Sequence, residues 1–351
     1  MTSEILKGVS IIICTYNGEQ RLPETLKHPS RQKVEPAVPW EIVLVDNASN
    51  DKTPELVKNL WASLGSAISI RIFSYPIPGK TGALQLGFAK ARYDYLLICD
   101  DDNWLASNYV QLVYEIMNEN AQIGALGGKS SPAFESTPPQ WFERAGSAYA
   151  TGQQHEENGA LGKNWEVLWG AGMVLNRKAL NKLNSSNFQY LLTTKRGKTL
   201  MSGEDDEVCY ALKLVDYTIW YDSRLQLKHF IPEYRLKEDY LKRLMYGSAT
   251  AILACEPYQK ILAYKQNSDA KPKAFNRLSS LISLVKFLFK ENLRFVTMYF
   301  HSDPWINTHY RSGLLLMWLR VKHTALMNKN LTSIRNWFDN IKNPGEKSKN
   351  K

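Results

Sequence analysis

The sequence predicts an α/β protein: a doubly wound sheet followed by a helical, basic C-terminal extension. Three observations carry this. Short β-rich apolar runs alternate with helix-compatible stretches over the first 130 residues, and three of the four runs end in polar clusters. Beyond Pro232 the alternation gives way to apolar residues at helical spacing.

Each element follows from its residues. Val9–Cys14 is a β-rich run that stops at Thr15-Tyr16-Asn17-Gly18, and a helix-compatible stretch continues to about Lys27. Trp40–Val45 is a second strand, ending in Asp46-Asn47-Ala48-Ser49-Asn50-Asp51. Thr53-Pro54-Glu55 then opens a helix, with Thr53 as N-cap and Pro54 in the first turn, where no N–H is needed. Ile68–Phe73 is a third strand, Gly79–Ala91 a helix and Tyr95–Cys99 a fourth strand. Such spacing makes a parallel sheet, which binds ligands beyond the carboxyl ends of its strands. Thr15–Asn17, Asp46–Ser49 and Asp100–Asp102 stand at three of those ends.

Composition narrows the function. A chain of 351 residues is one large or two modest domains, and 44% hydrophobic with 22% charged residues excludes wholesale disorder. The net charge of +10 is uneven: from Lys271 onward 15 Lys and Arg face 4 Asp and Glu, whereas the preceding residues are nearly balanced. A uniformly basic nucleic-acid binder would not divide this way, and no nucleic-acid partner is expected. Cys14, Cys99, Cys209 and Cys255 form no C-x-x-C pair. Cys14 and Cys99 end apolar runs and read as buried thiols in a reducing compartment. The opening apolar stretch is too short, and lacks the flanks, for a signal peptide. No run reaches the eighteen or so apolar residues of a membrane span.

The triplet Asp100-Asp101-Asp102 is the most informative feature. Like charges at a buried strand end are costly unless a cation or a proton relieves them. Carboxylates so placed suit a hard divalent ion that also holds phosphate oxygens. The alternative is a solvated acidic turn before the next helix, with Asn103 or Ser107 as N-cap.

VSIIICTYNGEQRLPETL, EIVLVDNASNDKT, GKTGALQLGFAKA and YLLICDDDNW, followed by WGAGMVLNRKAL, SGEDDEVCYAL and LQLKHFIPEYRL, resemble family 2 glycosyltransferases of the GT-A fold over residues 8–250. That fold is a Rossmann-like, doubly wound mixed sheet with its nucleotide site at the strand carboxyl ends. Among such enzymes the set is most similar to bacterial ones that build surface polysaccharide.

The resemblance implies roles. Thr15, Tyr16, Asn17 and Glu19 at the first strand end, and Asp46, Asn47 and Ser49 at the second, would hold the nucleoside. Asp46 can accept from the N3–H of a uracil, although Asp46–Asp51 also reads as an Asx-type turn. Lys80 at a helix start can approach a diphosphate, or be a plain surface lysine. Leu84 and Gln85 stand where many relatives carry Arg and Asn. Asp100 and Asp102 match the D-x-D element. Asp102 would bind Mn²⁺ or Mg²⁺, Asp100 would share the ion or meet the ribose, and Asp101 has a neighbour's claim on the nucleotide. His229 matches a further metal ligand, its alternative being a structural histidine between apolar residues.

Gly203-Glu204-Asp205-Asp206-Glu207 opens another helix, where acids are favoured by the helix dipole in any case. Glu204 and Asp205 match the E-D element, with Asp205 as the base that deprotonates the acceptor hydroxyl and Glu204 beside the acceptor. Trp141-Phe142, Tyr149, Trp165 and Trp169 can stack on sugars or pack in a core. Gly170, Ala171 and Gly172 can let backbone approach the donor sugar. Thr151–Lys163 reads as a mobile loop over the donor.

Beyond Pro232, Leu236, Tyr240, Leu241, Leu244 and Met245 make a helix to about Leu253. Leu278, Leu281, Ile282, Val285, Leu288 and Phe289 make another with Lys286 and Lys290 interspersed, and Leu314–Val321 a third apolar stretch. Basic helices with apolar faces can lie on an anionic membrane, or pack on the catalytic part with a solvated basic face.

The expected protein is thus an inverting, metal-dependent hexosyl- or N-acetylhexosaminyl-type transferase. It would move a sugar from a nucleotide-sugar, a UDP-sugar first, to a hydroxyl of a glycan or polyprenyl-linked acceptor. Residues 1–232 would be catalytic, 233–342 a helical region and 343–351 a disordered basic tail. The chain would be cytoplasmic, reaching the inner membrane's cytoplasmic face through its basic helices. A sugar-nucleotidyltransferase and a non-catalytic nucleotide-sugar-binding protein are the rival readings.

Overall fold

The computed structural model describes residues 6–192, 203–267, 272–290 and 297–342; the expectation of a disordered tail over 343–351 lies outside these residues. The N-terminal part alternates as expected: β1 (Leu6–Thr15), α1 (Leu22–Ser30), β2 (Trp40–Asp46), α2 (Thr53–Ser63), β3 (Ile70–Ser74), α3 (Lys80–Lys90) and β4 (Tyr93–Asp100). There follow β5 (Asn103–Leu105), α4 (Tyr109–Glu119), β6 (Ile123–Phe134), α5 (Phe142–Ala145), β7 (Gly159–Ala160), β8 (Val174–Asn176), α6 (Arg177–Ser185), α7 (Glu204–Leu214) and β9 (Thr218–Ile231). The chain then turns helical in α8 (Glu238–Gln266), α9 (Arg277–Lys290), α10 (Pro304–Lys322) and α11 (Thr324–Lys342).

Among the described residues, nine strands form one mixed sheet in the order β3-β2-β1-β4-β8-β6-β9-β5, with β7 beside β9. β1 to β4 run parallel, β8 reverses the direction, and β6 and β9 are parallel to each other. Register puts Thr15 opposite Asp46 and Cys14 opposite Asp100, so the polar ends of three strands meet at one edge. Alternate residues of each strand feed opposite layers. Ile12, Val45, Leu96 and Ile98 join one buried cluster; Ile11, Ile13, Leu44 and Leu97 join the other. Burial on both faces is why these strands read as unbroken apolar runs. This is the doubly wound mixed sheet expected of a GT-A fold, followed by a helical C-terminal region.

Several local expectations are corrected. Thr53 is the first helical residue rather than the cap: Asp51 Oδ1 accepts from its backbone N–H at 3.1 Å and its hydroxyl at 2.5 Å. Asn103 lies in β5, and α4 begins only after Asn108, so neither Asn103 nor Ser107 caps it. α8 runs well past Leu253, to Gln266, because Cys255, Tyr258, Ile261 and Leu262 go on burying one face. The stretch from Thr151 is pinned rather than loose. Gly152 bridges Ser130, Gly159–Ala160 pairs with β9, and Asn158 Oδ1 accepts from Ser223 N at 2.8 Å.

The C-terminal helices share the core. Leu331, Ile334 and Phe338 of α11 belong to the same buried cluster as Ile12 and Leu96 of the sheet. α9 differs: Leu278, Leu281, Ile282 and Val285, one stripe at helical spacing, are 64%, 44%, 44% and 39% exposed. Among the described residues no helix is long and apolar enough to cross a membrane.

Candidate active site

The two loops after β1 and β2 hold each other. Asn17 N donates to Ser49 Oγ at 2.9 Å and Asn50 N donates to Asn17 Oδ1 at 2.8 Å. Lys52 N donates to Glu19 Oε2 at 3.4 Å. Asn17 and Ala48 hold positive φ (49° and 59°), which ordinary residues adopt at a cost and which turns the two chains towards one another. Asn47 spends its amide on the loop before α3: Nδ2 donates to Ile77 O at 2.7 Å, and Oδ1 accepts from Gly79 N at 2.8 Å. So Asn17, Glu19, Asn47 and Ser49 build the walls at this edge. Tyr16 is exposed, and the buried Asp46 carboxylate accepts only a long 3.4 Å bond, from Ser49 N. An Asx-type turn and a nucleoside acceptor are thus compatible at Asp46.

Each of the three acids at the end of β4 faces its own cation. Lys80 Nζ stands 2.5 Å from Asp100 Oδ1, Arg21 grips Asp101 through Nε at 3.0 Å and Nη2 at 2.9 Å, and Arg235 Nη1 lies 3.0 Å from Asp102 Oδ2. Thr15 Oγ1 adds a 2.6 Å donation to Asp101. Asp101 therefore ties β1, α1 and β4 together, a scaffolding place its sequence position did not single out. Burial would raise the Asp102 carboxyl, but the charge of His229 and its hydrogen bond, then Arg235 and Lys80, hold it well below the usual range. Burial would likewise lower the Lys80 ammonium, and Asp100 raises it instead.

His229, opposite Asn103 in the β5–β9 ladder, places Nε2 3.6 Å from Asp102 Oδ2, and its Nδ1 is buried without a hydrogen-bond partner. Nε2 and the carboxylate can share one ion if Arg235, whose Nη1 is 3.5 Å from Nε2 and 3.0 Å from Asp102 Oδ2, moves aside. Such an oxygen–nitrogen pair suits Mn²⁺ better than Mg²⁺, which prefers oxygen. Among the described residues no three His, Cys, Asp or Glu converge as a ready metal cage, since Asp100 turns to Lys80 instead. The residues thus fit a divalent ion as a half-shell, leaving its other positions to a ligand's oxygens.

Gly203, at φ 101°, turns the chain into α7 with its acids in the first turn. Asp205 Oδ2 accepts from Gly170 N at 2.7 Å, and Oδ1 accepts from Asp206 N at 3.1 Å. Glu204 Oε1 accepts from Thr81 Oγ1 at 3.0 Å. Lys80 and Thr81, consecutive at the start of α3, therefore join the acid triplet to the acid pair. Glu207 turns inward and is satisfied by Leu191 N, Leu192 N and Tyr258 Oη. The small residues at 170–172 let backbone approach protein groups: a Cβ on Gly170 would meet Asp205 Oδ2 at 3.3 Å, and one on Gly172 would meet Leu227 at 2.3 Å. Of the aromatics, Trp141, Phe142 and Tyr149 are core, packed on Ile231, Leu236 and Leu241, while Trp165 stays exposed.

Two groups escaped the sequence reading. Arg21 and Arg235 sit inside quoted motifs, yet nothing in their spacing says that they end on Asp101 and Asp102. The only signal was the presence of three acids needing counter-charges.

Comparison with known proteins bears on this geometry. Residues 10–183 match the family described as glycosyl transferase family 2. A human dolichyl-phosphate beta-glucosyltransferase is 33% identical over 101 residues, 27% of this chain and 31% of that protein. An undecaprenyl-phosphate 4-deoxy-4-formamido-L-arabinose transferase of Pseudomonas fluorescens is 33% identical over 94 residues, 27% of each chain. The match thus spans about a third or less of these relatives. Staphylococcus aureus TarS 1-349 in complex with UDP superposes at a TM-score of 0.49 with 16% identity, over 96% of this chain and 92% of that one. The assignment of the fold rests on the sheet order, not on that superposition.

Proposed function

Because the chain belongs to glycosyl transferase family 2 through its residues 10–183, we propose that it moves a sugar, with inversion, from a nucleotide-sugar to a hydroxyl of a glycan or lipid-linked acceptor in polysaccharide biosynthesis. A UDP-sugar is the proposed donor. One observation carries the reading: Lys80 and Thr81 bind Asp100 and Glu204 from adjacent positions of α3. A group able to hold a diphosphate thus adjoins the acid that neighbours the proposed base. That juxtaposition is what a direct displacement needs.

In this reading Asp46 accepts from the base, while Thr15, Tyr16, Asn17, Glu19, Asn47 and Ser49 form the nucleoside wall. Lys80 leaves Asp100 for the diphosphate, where its charge opposes that developing on the departing nucleotide. Asp205 is the base. The backbone N–H groups of Gly170 and Asp206 orient its two oxygens, and it takes the acceptor proton as the hydroxyl oxygen attacks the anomeric carbon. Glu204 positions the acceptor. Asp102 and His229, with Asp100 released from Lys80, would hold a divalent ion, which when bound supplies charge neutralisation to the leaving diphosphate. The dolichyl- and undecaprenyl-phosphate substrates named for the relatives favour a polyprenyl-linked acceptor. The exposed stripe of α9 supports a peripheral place on a membrane surface, for which the cytoplasmic face of the inner membrane is proposed.

Release of UDP from UDP-sugars, measured with and without candidate acceptors, tests this. Asp205→Asn should bind donor as the parent does and lose transfer by roughly 10²–10⁴-fold, the usual share of a positioned base. Undiminished turnover in that variant would move the base elsewhere.

A further inference from the structure

A groove of about 590 Å³ lies between α3 and α6, with β4 and β8 as its floor, and ends at α7. Its size is that of a small-molecule site. We propose that it holds the apolar stem of an amphipathic acceptor whose reacting hydroxyl sits at Asp205. The proposal rests on the transferase reading above and adds where, and by what chemistry, the acceptor is gripped.

The lining changes character along its length. Lys80, Leu84 and Phe88 follow one another at intervals of four on α3, so they form one helical stripe that passes from charged to apolar. Glu204 and Val208 repeat the step on α7. The floor, Ile98, Met173 and Leu175, is aliphatic. Away from the mouth two charged groups line the groove, and both are hydrogen-bonded within the protein. Arg177 donates to the carbonyls of Phe88, Ala91 and Tyr93 at 2.8–3.2 Å, and Glu207 accepts from two backbone N–H groups and Tyr258. With their hydrogen bonds taken up by the protein, the described interior offers a ligand chiefly dispersion contacts.

The mouth is different. Glu204, Asp205, Thr81 and Lys80 gather there, and Asp205 is the group assigned to the acceptor's proton. An acceptor made only of sugar would leave the apolar floor wet. A nucleotide suits the interior poorly, because the described floor of Ile98, Met173 and Leu175 offers its phosphates no side-chain hydrogen-bond donor. An acceptor with a hydroxyl-bearing head and a linear apolar stem satisfies both ends, and each methylene it buries adds to affinity.

The test uses alkyl β-glucosides as probes, below their aggregation threshold, with the full chain labelled at methionine methyls. Octyl β-glucoside should bind at least about tenfold more tightly than methyl β-glucoside and shift the Met173 methyl resonance. Leu84→Glu, which sets a carboxylate on the apolar wall, should remove that advantage, whereas Leu84→Met should keep it. Unchanged melting and UDP affinity in both variants exclude a folding defect. Equal affinity for the two glucosides overturns the proposal. So does octyl binding that survives Leu84→Glu, since it must then reside on another surface. A chain that binds UDP but gains nothing from the alkyl chain overturns the groove assignment and leaves the transferase reading standing; loss of UDP binding as well sinks both.

Discussion

Asp206 sits between the proposed base and the buried Glu207, and its environment holds its proton well above the usual carboxylate range. Burial, and then the charge of Asp205, push its carboxyl from 3.8 up to about 8. The unfolded chain releases this proton near 3.8 while the fold keeps it until about 8, so across that window the folded state binds the extra proton. Stability through this group is therefore full at the acid end and falls as pH rises. Asp206→Asn should flatten that fall, seen as a smaller loss of denaturation midpoint between pH 4 and pH 8. A slope identical to the parent's would place the proton elsewhere. Asp102 invites a second measurement. If it and His229 hold the ion, Asp102→Ala should make nucleotide affinity indifferent to Mn²⁺, and a retained Mn²⁺ response would refute the metal assignment. At this scale the sequence singles out Asp102, Asp205 and His229 as candidates, because their motifs are local. Arg21 and Arg235 were invisible, because their partners are set by folding across 80 and more residues.

Elements were legible in proportion to how much of their environment is local. β1, β2 and β4 are buried on both faces, so composition alone marks them. β5, β7 and β8, of three, two and three residues, exist because neighbouring strands accept them, and no periodicity fits in so short a run. Apolar spacing predicts an end of α8 near Leu253 because its apolar face changes partners midway, from the cluster around Trp141 to that around Tyr258. α9 is amphipathic, as its spacing predicts, and its apolar stripe is solvent-exposed. Replacing Leu281 and Val285 by Glu should cut binding to anionic vesicles at low salt by about tenfold or more, since each charge costs insertion and opposes the lipid field. Vesicle binding indifferent to both changes would reassign the stripe to a protein partner.

The whole molecule has no clean seam between the sheet and the C-terminal helices. Phe338 packs in the same cluster as the central strands, beside Trp337, whose Nε1 donates to Ser186. Phe338→Ala should therefore cost about 3–5 kcal/mol, the price of a large cavity in a shared core. It should lower the single urea midpoint of the entire chain. A separate early transition with an intact main one would show that the helices fold on their own. The sequence suggests a boundary at Pro232 because composition changes there, and the urea experiment bears directly on that proposed division.

The bond from Tyr258 to Glu207 sets an order in time. Glu207 anchors the turn that carries Asp205, and its phenolic partner lies 51 residues further on. At translation rates of about 5–20 residues per second, that partner is made roughly three to ten seconds after the acid it fixes. Until then the growing chain carries Glu207, two residues from Asp205, without its phenolic partner. If the transferase proposal holds, a ribosome-bound chain would gain activity only after Tyr258 has been added.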